Sequence, residues 1–112
     1  MPHIRVRGAS LEHVAKLSEN LGAEMGPLVG TSPDNFTVEC VKTHFFSNGV
    51  GDAGYPFIEV LWFDRPHEIK QRCAEYLTAK LKSIVGGPTA PDVAVIFQPL
   101  EKSNYFENSR SF

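Results

Sequence analysis

Residues 3 to 7 alternate polar and apolar side chains (His3, Ile4, Arg5, Val6, Arg7), the two-residue period of a β-strand with Ile4 and Val6 on one face. Ser10 then offers a helix N-cap. Leu11, Val14, Leu17, Leu21, Met25 and Leu28 recur at spacings of three and four, which predicts one amphipathic helix, ended or distorted by Gly26-Pro27. Past the turn signal Gly30-Thr31-Ser32-Pro33-Asp34, the run from Phe36 to Phe46 is rich in β-branched and aromatic residues and reads as a second strand. Phe36, Val38 and Cys40 fall on one of its faces, and Thr37, Glu39 and Val41 on the other. Ser47 to Gly54 reads as a glycine-rich loop.

Tyr55 to Phe63 is nearly continuously apolar, as expected of a strand covered on both faces, with Pro56 near its start, where a missing N–H is tolerated. Asp64 and Pro66 open a helix whose stripe is Ile69, Cys73, Leu77, Leu81 and Ile84, ending at Gly86-Gly87-Pro88. Val93 to Phe97 reads as a fourth strand. The remainder, Pro99 to Phe112, is polar but carries Tyr105, Phe106 and Phe112, too many rings for an idle tail.

Sliding the chain along itself places Leu17 on Cys73, Leu21 on Leu77, Met25 on Leu81 and Gly30 on Gly86, while Ile4 and Val6 fall on Val60 and Trp62. The chain thus reads as two tandem βαβ halves, about 1–50 and 51–112, within a single domain spanning 1–112. The expected fold is α/β (α+β), a four-stranded mixed sheet with two helices on one face. A ferredoxin-like βαββαβ module has the same element order with a different strand pairing. On the helix-free face would stand Arg5, Arg7, Glu39, Glu59, Leu61 and Phe63, an apolar and charged patch that calls for a second subunit.

At 112 residues and 42% hydrophobic content the chain can fill one core and not two. Its formal charge of −2, with no block of like charges, disfavours an electrostatic grip on nucleic acid. No apolar run is long enough for a bilayer, and the N-terminus lacks the apolar core of a signal peptide, so the expected location is cytoplasmic, away from membranes. Cys40 and Cys73 lie far apart in apolar segments and read as free thiols.

The start Pro2-His3-Ile4-Arg5-Val6-Arg7, the tandem βαβ halves and the chain length resemble the tautomerase superfamily, which contains 4-oxalocrotonate tautomerase and macrophage migration inhibitory factor. The string Tyr55-Pro56-Phe57-Ile58-Glu59-Val60-Leu61-Trp62-Phe63-Asp64-Arg65, followed by Phe97-Gln98-Pro99-Leu100 and Tyr105, resembles a bacterial branch of that superfamily without an assigned function. The resemblance implies a homotrimer, and an N-terminal proline that acts as general base once the initiator Met is removed. Thr31, Ala94 and Ile96 stand where the inhibitory-factor pattern carries lysine, tyrosine and asparagine, so substrate recognition of that kind is not implied.

The candidate site follows. Pro2 would supply a secondary amine, since an α-amino group titrates near ~7.7 to 8 and suits proton abstraction beside a carbonyl. Arg65, where a strand gives way to a helix, and Arg5 would hold a carboxylate through the guanidinium fork; alternatively Arg5 and Arg7 pair with Glu39 and Glu59. His3 would orient substrate or bond a neighbour, with Phe57, Phe97 and Tyr105 as apolar walls. Gly49-Val50-Gly51-Asp52-Ala53-Gly54 fits a dinucleotide pattern but leads into a strand, and neither zinc-ligand spacing nor a serine nucleophile elbow occurs, so no cofactor and no metal is expected. The leading reading is a tautomerase-like enzyme for a small acidic carbonyl compound. The alternative is a non-catalytic trimeric binding or structural protein.

Overall fold

Ile4 and Val6 are wholly buried, and the strand that carries them, β1 (His3–Arg7), runs through the middle of the sheet. The computed structural model describes residues 1–87 and 90–112. In chain order β1 is followed by helices α1 (Leu11–Ser18) and α2 (Leu21–Val29), and by β2 (Thr37–Val41). A short hairpin comes next, β3 (Phe45–Ser47) with β4 (Val50–Asp52), then β5 (Phe57–Trp62), helix α3 (His67–Val85) and β6 (Ala94–Pro99). A second hairpin, β7 (Phe106–Glu107) with β8 (Arg110–Ser111), closes the chain.

The four long strands form one mixed sheet in the order β2-β1-β5-β6. β1 pairs parallel with β2 and antiparallel with β5, which pairs parallel with β6. Each half is therefore a βαβ unit with its two strands adjacent, and the ferredoxin-like pairing is ruled out. The core lies between this sheet and the helices, where Leu17, Leu21, Met25, Leu77 and Leu81 meet Ile58, Val60 and Trp62.

Among the described residues three helices cover that face rather than two. The apolar period ran unbroken through Ser18 to Leu21, but Glu19 is extended and Asn20 takes a left-handed conformation at φ 59°, so the first helix is split there. Asparagine tolerates that region better than other side-chain-bearing residues. Gly26-Pro27 does not end α2. Gly30 does, at φ 80°, where its N–H and that of Thr31 both reach the carbonyl of Gly26.

The second strand also stops earlier than its composition suggests, at Val41, and the glycine-rich segment pairs with Phe45–Ser47 instead of forming an open loop. Asn48 and Gly49 both have positive φ, the requirement of a two-residue hairpin turn, and Asn108 with Ser109 repeats it in the second hairpin. β6 begins at Ala94 and runs on to Pro99, and α3 ends at Val85 with Gly86 as its cap. The expected stop at Pro88 lies outside the described residues. β5 buries Ile58, Val60 and Trp62 on the helix side, whereas Phe57, Glu59 and Leu61 are only half-buried, so within one chain it is not covered on both faces.

The two halves are related by an approximate two-fold axis, but not by one constant displacement. The helices keep the spacing the sequence suggests, with Gly30 matching Gly86. By strand register, however, Ile4 corresponds to Ile58 rather than Val60, Arg5 to Glu59, and Val38 to Val95. The connections differ in length by one or two residues between halves. Arg5 and Glu59, which correspond to each other, also lie directly opposite across β1 and β5.

Candidate functional site

Where β1 begins, the ring of Pro2 is wholly buried and its carbonyl accepts the N–H of Thr37 at 3.2 Å, which pins the start of β1 beside the start of β2. Met1, one residue earlier, lines a cleft of about 350 Å³. Its apolar wall comes from the end of β5 and from the C-terminal segment. Phe63 meets Tyr105 edge-on at 5.3 Å and Phe112 at 5.7 Å, and those two meet each other at 5.0 Å. Such offset and edge-on contacts let three rings hold one another in fixed positions. The aromatic tail thus folds back onto its own chain.

Two cations and two carboxylates share this cleft: Arg65, Lys102, Asp34 and Glu107. Arg65 is largely occupied. Its Nε donates to the carbonyl of Val29 at 3.1 Å, and one Nη donates to the carbonyls of Phe63 and Asp64, so the side chain clamps the end of α2 to the end of β5. Lys102 sits on a 3-10 turn, Lys102–Asn104, with its Nζ 5.7 Å from the centre of the Phe63 ring. Among the described residues no carboxylate lies within ion-pair distance of it. Thr31, in the same cleft, accepts the Asn35 side-chain amide at 2.7 Å.

His3 and Arg5 lie outside the cleft, on the helix-free face. His3 bonds Thr37 through Nδ1 at 2.6 Å and the Oε1 of Glu39 through Nε2 at 2.8 Å, and Arg5 Nε reaches the same oxygen at 2.8 Å. With both ring nitrogens engaged, His3 takes the neighbour-bonding role. The His3 hydrogen bond, followed by that from Arg5, holds the Glu39 carboxyl below the usual carboxylate range. Arg7 pairs with Glu59 at 3.1 Å, and Gln98 donates to the other Glu59 oxygen at 3.0 Å. The pairing of Arg5 and Arg7 with Glu39 and Glu59 is therefore what the structure contains.

Phe97 is no cleft wall: it lies on the helix side of β6, stacked on Trp62 at 4.9 Å. Phe57 is at the far end of β5, stacked on Tyr55 at 5.0 Å. Tyr105 and Arg65 do line the cleft, with Pro2 directly behind Met1. Ala94 opens β6, and Ile96 stands on the helix-free face beside Glu59. Lys102 and Phe112 were not legible as site residues, because only the fold-back of the tail brings them to the N-terminus. The Cys73 thiol is not poised for nucleophilic chemistry, since it is buried and burial pushes its pKa up to about 11, against a smaller opposing effect of Arg65.

The mixed sheet built from two βαβ halves is shared with the solved structure of fused 4-OT. That structure matches at a TM-score of 0.79 and 17% identity over 98% of this chain and 95% of its own, and the fold is thereby that of the tautomerase superfamily. Residues 1–111 match the Domain of unknown function (DUF1904) family, and the chain belongs to it. A DUF1904 protein of Sebaldella termitidis is 41% identical over the whole of both chains, with a TM-score of 0.92. A protein of Vibrio cholerae O1 biovar eltor is 31% identical over 99% of this chain and 87% of its own, with a TM-score of 0.85. The curated proteins include no match to the chain.

Proposed function

We propose that the N-terminal cleft carries out proton transfer beside a carbonyl on a small 2-oxo acid, with Pro2 as base once Met1 has been removed. The observation that carries this reading is the position of Met1 in a cleft that also holds a cation and a wall of rings. Cleavage of the Met1-Pro2 bond would leave a secondary amine at the floor of that cleft. The amine takes a proton from the carbon next to the carbonyl, the electron pair moves onto the carbonyl oxygen, and return of the proton to that oxygen gives the enol. Lys102, with whatever donor capacity Arg65 retains, meets the carboxylate, and Phe63, Tyr105 and Phe112 receive the body of the substrate.

The helix-free face supports assembly as a homotrimer. It combines half-buried Phe57 and Leu61 with the paired charges of Arg5, Arg7, Glu39 and Glu59. Fused 4-OT forms trimers in structures 13% and 16% identical to this chain. Sedimentation equilibrium of the full chain tests this, and a monomer at micromolar concentration would overturn it.

Another protein of this fold, Pt0534, 18% identical, is inactivated by 2-oxo-3-pentynoate, which makes that acetylenic 2-oxo acid the reagent of choice. Met-free protein should tautomerise an aryl pyruvate, with kcat/KM rising with pH through the pKa of the Pro2 amine, because only the neutral amine accepts a proton. 2-Oxo-3-pentynoate should label Pro2 and stop turnover, and protein retaining Met1 should be inactive. Met-free protein with no turnover above buffer and an unlabelled Pro2 would leave the non-catalytic trimer as the reading of this fold.

A further inference from the structure

The first cleft has a counterpart at the other end of the molecule. By the starts of the parallel pairs β1–β2 and β5–β6, Pro2 corresponds to Pro56, and the carbonyl of Pro56 accepts the N–H of Ala94 at 3.0 Å as that of Pro2 accepts Thr37 at 3.2 Å. Beside Pro56 opens a second cleft, of about 1080 Å³, bounded by the turn after β1, the β3–β4 hairpin and Val85 at the end of α3. The same correspondence carries Phe63 onto Ala9 and Arg65 onto Leu11. The hairpin pair Phe45-Phe46 takes the place of Tyr105-Phe106.

Those replacements account for the difference in size. A ring and a clamped guanidinium narrow the first cleft, whereas a methyl group and a leucine 77% exposed line the second. Phe45 is held as a fixed wall, stacked on Phe57 at 6.4 Å and packed against Gly54, which lies so close to the ring that it has no room for a side chain. Phe46 stands 71% exposed beside it. Its polar lining includes the ammonium of Lys42, the imidazoles of His13 and His44, and the carboxylate of Asp52, which accepts the N–H of Ala53 at 2.7 Å. No side-chain hydrogen bond or ion pair of Lys42, His13 or His44 occurs among the described residues.

We infer that this second cleft binds a small arylcarboxylate, its ring against Leu11, Phe45 and Phe46 and its carboxylate at Lys42. A concave apolar surface with a few convergent polar groups is the form such sites take. Pro56 has no free amine, because its nitrogen is the amide that joins it to Tyr55, so the cleft holds its ligand without turning it over. This inference does not depend on whether Pro2 is catalytic.

The test is titration of the full chain with trans-cinnamate, followed by the methyl resonances of Leu11, Val41 and Val85, all of which line the cleft. Saturable shifts are expected in the wild type and in Lys102→Glu, which disables the first cleft. Binding should weaken at least tenfold in Lys42→Glu, an exposed substitution that spares the fold. Ala9→Phe puts the ring of Phe63 into the second cleft and should block it. Cinnamate that leaves these methyls unshifted, or binds folded Lys42→Glu as tightly as wild type, overturns the inference. So does protection of the same methyls from a soluble paramagnetic probe in the ligand-free protein, because a second copy of the chain would then fill the cleft.

Discussion

Arg65 donates from Nε to the carbonyl oxygen of Val29 at 3.1 Å, and so ties the last turn of α2 to the strand end that carries Phe63. A guanidinium used in this way stabilises a helix terminus, whereas Lys102 in the same cleft has no such duty. The two cations should therefore separate in mutagenesis. Arg65→Ala is expected to cost about 1.5 to 3 kcal/mol of stability, the range for hydrogen bonds to a charged donor, read as a drop in melting temperature. Lys102→Ala should leave the melting temperature in place and raise KM for a 2-oxo acid about ten- to a hundredfold, with kcat little changed. The reverse pattern would make Arg65 the anion-binding residue.

Glu59 accepts from Arg7 and Gln98, and its side chain is 14% exposed against 39% for Arg7. In a single chain the partly solvated pair is worth about 1 kcal/mol at most. If trimer formation buries it, removing the carboxylate strands a buried arginine at a cost of about 3 to 5 kcal/mol. Glu59→Ala is thus expected to affect assembly more than folding, and sedimentation equilibrium beside a urea melt checks it. Equal effects on both would mean that this face stays open to water.

Three carboxyls are held low in the folded chain: Glu39 by His3 and Arg5, Glu24 by Lys80 and Tyr76, and Asp64 by Lys70. A carboxyl with a lowered folded pKa contributes stability above its unfolded pKa and loses it as pH falls through the folded value. Urea midpoints should accordingly hold from neutrality to about pH 5 and decline below it. Glu39→Gln should make that decline shallower. An unchanged slope would show that the His3–Glu39–Arg5 cluster contributes nothing to folding.

Asn20 interrupts the first helix in a left-handed conformation. Asn20→Gly should lose no stability, whereas Asn20→Ala should cost about 1 kcal/mol, because only the alanine adds a Cβ penalty without a compensating polar group. A thermal melt of both variants distinguishes a required break from a helix that could run straight through.

Periodicity carried most of the sheet and the long helix: Ile4 and Val6 in β1, and Cys73, Leu77 and Leu81 in α3, are buried as their spacing requires. It could not show the break at Asn20, because the apolar stripe keeps its rhythm across it. The hairpin at Asn48-Gly49 was legible in principle, since that dipeptide is a strong turn signal, but the surrounding glycines masked it as an open loop. The ion pairs of the helix-free face followed from alternation in β1 and β5. The cleft was far less legible, because its wall and its free cation come from a tail whose position depends on Phe63 pairing with Tyr105 and Phe112, a contact between residues distant in sequence.

The approximate two-fold axis passes between Arg5 and Glu59. In a homodimer of identical half-length chains, a residue at that point would face its own copy, and either arginine or glutamate would meet a like charge at the closest approach of the two central strands. Like charges directly opposite destabilise a strand pair. Joining the halves in one polypeptide removes that constraint, because the two positions can then mutate separately. The sheet's centre can carry opposite signs on its two central strands, an arrangement that no pair of identical chains could place on its own symmetry axis.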